Sequence, residues 1–114
     1  MSLKLLIHIP DDTRAKVGLK MAQNFLKTAR EGEELRVRVL FNAQGVIILL
    51  NEDEEFDSLL AGVAEKGGEI YFCENALRAF GVSREKLPSL AHTVPAGIRA
   101  LVEWQEEGFR YVRA

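Results

Sequence analysis

Only one cysteine, Cys73, occurs among the 114 residues, so the chain cannot form a disulfide within itself. A long apolar run is also missing. The first run, residues 3–9, is interrupted by Lys4 and His8, which makes it too short for a membrane span and unlike a signal peptide. We therefore expect a cytoplasmic protein with no membrane partner, in which the single thiol stays reduced.

An excess of positive charge is absent as well. Fifteen Lys and Arg residues oppose seventeen Asp and Glu residues, which gives a net charge of -2 and an isoelectric point near 5.7. A protein that binds nucleic acid through its overall charge needs a broad basic surface, so no nucleic-acid partner is expected. Four arginines alternate on two predicted strands and are interpreted as a solvated sheet edge: Arg36, Arg38, Arg110 and Arg113.

Several motifs that would carry chemistry are missing too. The glycines never form GxGxxG or GxxxxGK, so no phosphate-binding loop is indicated, and no GxSxG turn is present for a serine hydrolase. There is no CxxC or HxxxH pair, so local ligand spacing does not support a zinc site. The sequence therefore predicts neither a cofactor nor a metal ion.

What the sequence does contain is a regular alternation of apolar runs with amphipathic stretches. Its 47% of hydrophobic and 28% of charged residues are typical of a globular protein, and its length fits a single domain over residues 1–114. Five strands are predicted, at residues 3–9, 35–41, 69–73, 89–93 and 109–112. We expect an α/β fold: a mainly parallel five-stranded sheet with helices on both faces, in three layers.

Helices are predicted between the strands, where apolar residues recur at three- and four-residue spacing. The first three cover residues 15–29, 56–63 and 76–80. Pro95 is expected at the first position of a fourth helix, whose inward-facing residues are predicted to be Ile98, Leu101 and Val102. The apolar run at residues 46–50 fits either a strand or a short buried helix.

Parallel sheets place their ligand site in the crevice beyond the carboxyl ends of the strands. This rule selects four segments of the chain: His8 to Asp11, Asn42 to Gly45, Cys73 to Asn75, and Thr93 to Gly97. Candidate functional residues are therefore sought in these segments.

Cys73 is the most informative of these candidates. It ends a predicted strand directly before a helix, so the free N–H groups of that helix could favour its thiolate form. A thiolate can accept sulfur as a persulfide, attack an electrophile or bind a soft metal. The alternative is a buried cysteine that acts as a small hydrophobic residue. The adjacent carboxylate of Glu74 would oppose ionisation if it turned toward the sulfur.

Two histidines, His8 and His92, fall near predicted strand ends. Either could pair with Cys73 and activate its thiol, or be a core residue with one satisfied ring nitrogen. The turn containing Asn42, Gln44 and Gly45 could donate hydrogen bonds to a small ligand or be an ordinary turn.

The segment from Thr93 to Gly97 leads into a helix N-terminus. It could bind an anion, or it could simply begin a helix at its proline.

Several local strings, taken in order, resemble one family over nearly the whole chain. They are Leu5 to Ile9, Ala22 to Leu26, Val37 to Val46, Phe72 to Leu77, Val94 to Ile98 and Gln105 to Tyr111. In this order and spacing the sequence resembles the DsrE/DsrF-like, or YchN-like, proteins.

This resemblance implies a small α/β domain that forms homo-oligomers, often trimers or hexamers. It also implies a role in intracellular sulfur relay, with Cys73 as the sulfur acceptor between a donor and an acceptor protein. The pocket around the sulfur would be lined by Asn75, the Asn42 to Gly45 turn, His8 and the helix start from Pro95 to Gly97. Ala96 departs from the family, which commonly has serine at that position.

Two functions follow as hypotheses. The first is a sulfur carrier or sulfurtransferase-like protein, in which Cys73 cycles between thiol and persulfide. The second is a non-catalytic, homo-oligomeric module that binds a small ligand or a partner segment in the same crevice.

Overall fold

A computed structural model describes all residues, 1–114, and shows a five-stranded sheet. The strands are β1 (Ser2–Ile9), β2 (Glu34–Phe41), β3 (Glu69–Cys73), β4 (His92–Val94) and β5 (Arg110–Arg113). Their order across the sheet is β4-β3-β2-β1-β5, and every neighbouring pair is parallel. The predicted α/β class, with five parallel strands, is confirmed.

Four α-helices connect these strands. They are α1 (Ala15–Leu26), α2 (Glu54–Glu65), α3 (Glu74–Ala79) and α4 (Gly97–Glu106). From β1 to β4 the chain always steps in the same direction across the sheet, whereas from β4 to β5 it returns to the opposite edge. Because parallel crossovers keep one hand, the last connection lies on the other face of the sheet. Helix α4 alone therefore covers one face.

The two faces have separate cores. The larger core lies under α1 and α2, where Phe41 stacks on Phe72 with ring centroids 4.5 Å apart and meets Phe56 edge-on. The smaller core lies under α4 and consists of Leu6, Leu40, Ala100, Leu101, Trp104 and Phe109. The prediction of helices on both faces of the sheet is confirmed.

Several element boundaries differ from the predictions. Helix α1 ends at Leu26 rather than near residue 29, and strand β4 lies at His92–Val94 rather than at residues 89–93. The apolar run at residues 46–50 belongs to a 3₁₀ helix, Ala43–Leu50, so the helical alternative is confirmed. Pro95 is not inside α4, which begins at Gly97 with Ala96 as its N-cap.

Helix α4 also presents a different face to the sheet from the one predicted. Leu101 is buried, but Ile98 is 70% exposed and Val102 is 56% exposed. The prediction that they face inward is wrong, because the buried stripe consists of Gly97, Ala100, Leu101 and Trp104. Three- and four-residue spacing allows both stripes, and the small residues let α4 approach the sheet closely. Phe80, the last residue of the third predicted helix, is the C-cap of α3 and is 40% exposed.

The arginines of β2 do not form a solvated edge, because β2 is an interior strand. The side chain of Arg38 is only 13% exposed and pairs with Glu69 and Glu107. Its guanidinium also lies 4.4 Å from the ring centre of Phe109 and 5.0 Å from that of Trp104. Arg110 and Arg113 do lie on an edge strand, β5. No helix in the structure has the length and apolar character needed to span a membrane.

Candidate functional site

Three polar side chains meet where neighbouring strands end. His8 lies near the end of β1, Asn42 directly follows β2, and Cys73 ends β3. Because these strands are parallel and adjacent, their carboxyl ends lie at the same edge of the sheet. The crevice rule thus brings together residues that are 65 positions apart in the sequence, from His8 to Cys73.

Cys73 is held by the backbone of two helix starts. It is the N-cap of α3, where its Sγ accepts a hydrogen bond from the Ala76 N–H at 3.4 Å. The same sulfur accepts a second hydrogen bond from the N–H of Gly97, the first residue of α4, at 3.2 Å. The residue is 5% exposed. Cys73 is thus nearly buried, yet two donors that favour negative charge point at its sulfur.

Gly97 makes this close approach possible. A β-carbon added to it would lie 3.1 Å from the Asn42 Cβ and 3.3 Å from the Cys73 Cβ. Any side chain at residue 97 would therefore press α4 away from both neighbours. The glycine lets the first N–H of α4 reach the sulfur while Asn42 packs against its other side.

His8 does not contact the sulfur directly. Its Nε2 lies 2.6 Å from the Asn42 Oδ1 and its Nδ1 lies 2.6 Å from the Tyr111 hydroxyl. Because the Asn42 oxygen can only accept, Nε2 carries the ring proton and Nδ1 accepts from the tyrosine. Burial lowers the pKa of His8 more than the hydrogen bond to Asn42 raises it, and the Arg113 cation lowers it further. A neutral imidazole suits this arrangement.

Neither histidine pairs with Cys73. The hydrogen bonds of the Cys73 sulfur come from backbone N–H groups, and both ring nitrogens of His8 have other partners. His92 is exposed and packs against the ring of Tyr71 at 5.3 Å. No cluster of three or more histidine, cysteine, aspartate or glutamate side chains could hold a metal ion. Direct activation of the thiol by a histidine is therefore not what this geometry provides.

The residues of the predicted turn have different roles. Asn42 belongs to the site, whereas the side chain of Gln44 is exposed and makes no hydrogen bond in the structure. Gly45 is buried, and a β-carbon there would overlap the carbonyl oxygen of Ile9. Gly45 therefore serves to seat the 3₁₀ helix against the end of β1.

Asn75 and Pro95 approach the site through their backbones. The N–H of Asn75 donates to the Pro95 carbonyl at 3.3 Å, which ties the start of α3 to the segment before α4. Both side chains are exposed, and the Asn75 side-chain oxygen accepts a hydrogen bond from Arg78. These two residues hold the two helix starts together, and the side-chain amide of Asn75 is engaged on the surface.

The carboxylate of Glu74 is held by partners other than the sulfur. It accepts a hydrogen bond from the Thr93 hydroxyl at 2.7 Å and pairs with Arg84 at 3.2 Å. The Thr93 hydrogen bond is the main cause that lowers the pKa of Glu74, and the Arg84 contact adds to it. The charge of Glu74 is therefore compensated beside the cysteine.

A pocket of about 280 Å³ opens next to this site, between β4 and α4. It is lined by Val94, Pro95, Ala96, Arg99, Ala100, Glu103 and Trp104. Val94 is the register partner of Cys73, and Ala96 directly precedes the Gly97 donor. The wall of the pocket is thus one residue away from the contacts of the sulfur.

Sequence reasoning did not find Tyr111 or Trp104. Tyr111 pairs with Leu6 in the sheet register and extends across the sheet to His8 two positions along β1. Trp104 lies in α4, about one turn after Leu101, which was predicted to face inward. The only available signal was alternation along β5, which places Tyr111 on the same sheet face as His8.

Comparisons with known proteins agree with this architecture. Three solved structures are similar over nearly all of the chain. MTH1491 from Methanobacterium thermoautotrophicum, a protein of unknown function, is 26% identical with a TM-score of 0.80 and covers 98% of this chain and 99% of its own. BT1422 from Bacteroides thetaiotaomicron, also of unknown function, is 18% identical with a TM-score of 0.71, over 97% and 95%. The ychN protein from E. coli is 12% identical with a TM-score of 0.67, over 98% and 100%.

The last two similarities show a shared fold. A comparison with curated proteins gives no match. The sequence profile of the DsrE/DsrF-like family, however, matches residues 1–114 in full. The resemblance read from the sequence is thereby confirmed: this chain belongs to the DsrE/DsrF-like family.

Proposed function

We propose that the protein is a cytoplasmic sulfur carrier of the sulfur-relay type, in which Cys73 accepts and releases one sulfur atom as a persulfide. The observation that carries this proposal is the pair of backbone N–H groups, from Ala76 and Gly97, that donate to the Cys73 sulfur. An inert core cysteine needs no such donors, because a thiol is a weak acceptor.

The transfer needs no external oxidant. The Cys73 thiolate attacks the outer sulfur of a donor persulfide, R–S–SH, and forms a new S–S bond. The donor's own S–S bond breaks, and its electron pair leaves with the donor as the thiolate R–S⁻. The product is Cys73–S–SH, and the reverse attack by an acceptor thiolate returns Cys73 to its starting state.

The two N–H donors support both ends of this cycle. Helix N-termini carry partial positive charge, so they stabilise the attacking thiolate and the same thiolate when it is the leaving group. The low exposure of Cys73 restricts the reaction to donors that fit the crevice.

Intact-mass measurement after incubation with glutathione persulfide tests the proposal. We expect the wild-type protein to gain one sulfur atom and to lose it on addition of a small thiol. Because Cys73 is the only cysteine, the Cys73→Ser variant should gain none. A wild-type protein that gains no sulfur, or a Cys73→Ser variant that gains it equally, would contradict a carrier role for this residue.

A second function is favoured by the pocket between β4 and α4 and by the exposed apolar residues of α4. This is the non-catalytic binding module: a homo-oligomer, trimer or hexamer, that holds a small ligand or partner segment. Its support is the apolar wall of the pocket together with Ile98 and Val102 on the outer side of the same helix. A function that survives Cys73→Ser in cells supports the module and contradicts the relay.

A further inference from the structure

We infer that Tyr111 and His8 are positioning residues for the Cys73 sulfur, which they reach through Asn42 and Gly97. This inference deepens the proposed sulfur-carrier function and rests on it. It assigns a role to Tyr111, which no feature of the sequence singled out, and an indirect role to His8 in place of a thiol–histidine pair.

The contacts that link Tyr111 to the Cys73 sulfur form a chain of residues: Tyr111, His8, Asn42 and Gly97. The outer part of this contact chain consists of two short hydrogen bonds. Tyr111 donates to His8 Nδ1 and His8 Nε2–H donates to Asn42 Oδ1, both with 2.6 Å between the heavy atoms. The rings of Tyr111 and His8 also contact each other, with centroids 5.6 Å apart. With both ring nitrogens engaged, the imidazole has one orientation and one tautomer.

The inner part of the chain is a packing contact. The Asn42 side chain lies against Gly97, where even a single added carbon would be only 3.1 Å from the Asn42 Cβ. On its other side, the N–H of Gly97 donates to the Cys73 sulfur. A shift of the asparagine therefore moves the donor, and the strength of a hydrogen bond falls steeply when its angle is lost.

The polar side chains of this contact chain come from two strands and from the residue that follows a third. Tyr111 lies on β5, His8 on β1, and Asn42 directly follows β2, whereas the sulfur belongs to β3. These strands are hydrogen-bonded neighbours in the order β3-β2-β1-β5, so His8 lies between the strand that carries Tyr111 and the strand that Asn42 follows. Tyr111 is partly exposed on the edge strand β5.

The thiolate absorbance of Cys73 measures the effect without any sulfur donor. Titrations of the wild-type protein and of Tyr111→Phe are compared, each corrected with its Cys73→Ser counterpart. At a pH where a minority of the wild-type thiol is ionised, we expect the thiolate fraction in Tyr111→Phe to be about fivefold lower, the size of one lost coupling. Tyr71→Phe is the matched control, because its hydroxyl bonds Glu69 on the same sheet face. It should leave the fraction unchanged.

A double-variant cycle separates positioning from general loosening. If Tyr111 acts only through Asn42, then Asn42→Ala combined with Tyr111→Phe has the same thiolate fraction as Asn42→Ala alone. Multiplied effects of the two substitutions, or an unchanged fraction in Tyr111→Phe, would overturn the inference.

A measurement on the unmodified protein guards against variants that do not fold. The ¹⁵N spectrum of the His8 ring at about pH 8 should show a neutral imidazole with its proton on Nε2. A proton on Nδ1 overturns the chain as described.

Failure of this inference and failure of the proposed function can be told apart. If the wild-type protein gains no sulfur but the thiolate cycle behaves as expected, then the carrier function is wrong and the positioning chain stands. If sulfur is gained equally well by the wild-type protein and by Tyr111→Phe, with equal thiolate fractions, then the function stands and the chain is wrong.

Discussion

At the scale of single residues, the environment of the sulfur is made by backbone groups. The Ala76 and Gly97 N–H groups donate to it. The ionisable side chains of His8 and Glu74 have other partners: Asn42 and Tyr111 for His8, and Thr93 and Arg84 for Glu74. Backbone donors fixed by helix geometry do not titrate. The stabilisation they give to an anionic sulfur therefore persists wherever the fold persists.

Substitution Gly97→Ala tests the donor directly. The added carbon would lie 3.1 to 3.3 Å from Asn42 and Cys73, so it pushes the start of α4 off the sulfur. We expect slower gain of sulfur from glutathione persulfide and a loss of about 1–3 kcal/mol of unfolding free energy from overpacking. Intact-mass kinetics and denaturant titration measure the two effects. Gly62→Ala is the control for overpacking remote from the sulfur, because its added carbon meets the Gln23 side chain between α1 and α2. Equal kinetics in both variants would show that the Gly97 donor is not needed.

The pH dependence of stability reports on His8. Burial lowers its pKa in the folded protein, so between that value and 6.5 the unfolded chain binds more protons than the folded one. The stability that the neutral, buried His8 contributes is fully present above about pH 6.5 and is lost as the pH is lowered through this window. Denaturant titrations should show this fall in the wild-type protein and a smaller slope in His8→Gln. Equal slopes would mean that His8 is not buried as a neutral ring.

At the scale of elements, the site depends on how closely the 3₁₀ helix Ala43–Leu50 approaches the end of β1. Gly45 lies on the backbone of Ile9, and its N–H donates to the Asn42 carbonyl at 2.8 Å. This contact fixes the residue that follows β2 against the strand that carries His8. Packing therefore requires a glycine at residue 45, because a β-carbon there would overlap the Ile9 carbonyl oxygen.

Gly45→Ala is therefore expected to be strongly destabilising. The added carbon overlaps a backbone oxygen in a strand that cannot move aside, so we expect a loss of about 3 kcal/mol, at the upper end for overpacking. Thermal and denaturant unfolding measure it. Gly62→Ala is the comparison, because its added carbon meets a side chain, Gln23, that can rotate away at the cost of its hydrogen bond to the Leu59 carbonyl. A Gly45→Ala variant as stable as the control would show that the strand end and the 3₁₀ helix can separate without cost.

At the scale of the whole molecule, one sheet face carries α1, α2 and α3, and the other carries only α4. The outer side of that single helix is apolar at Ile98 and Val102. In a chain of 114 residues the buried core is modest, so association through such a surface would add stability. This asymmetry is the structural support for the proposed homo-oligomer.

Ile98→Lys tests that association. A charge placed in a self-contact is desolvated on assembly, so we expect the variant to be smaller in solution than the wild-type protein. Light scattering and sedimentation measure the mass. Val17→Lys is the matched control, because Val17 is an exposed apolar residue on α1, 37% accessible. A wild-type protein that is monomeric at all concentrations would contradict the proposal.

Much of the fold could be predicted because it is written in local patterns. The apolar run at residues 3–9 predicts β1, and apolar residues at three- and four-residue spacing predict the helices between the strands. Alternation of strands with helices then predicts a parallel sheet and the crevice that holds Cys73. Patterns of this kind do not tell which apolar stripe of α4 faces inward.

The sequence by itself determined the element types, the parallel sheet and the position of Cys73 at a strand end, because these depend on periodicity and on neighbours in the chain. Only the tertiary structure decided that β2 is an interior strand, that Ile98 and Val102 face outward, and that Tyr111, His8 and Asn42 form one chain. Those facts depend on strand order and on contacts between residues far apart in the sequence. Burial and hydrogen bonding between such residues are settled only when the whole sheet has formed.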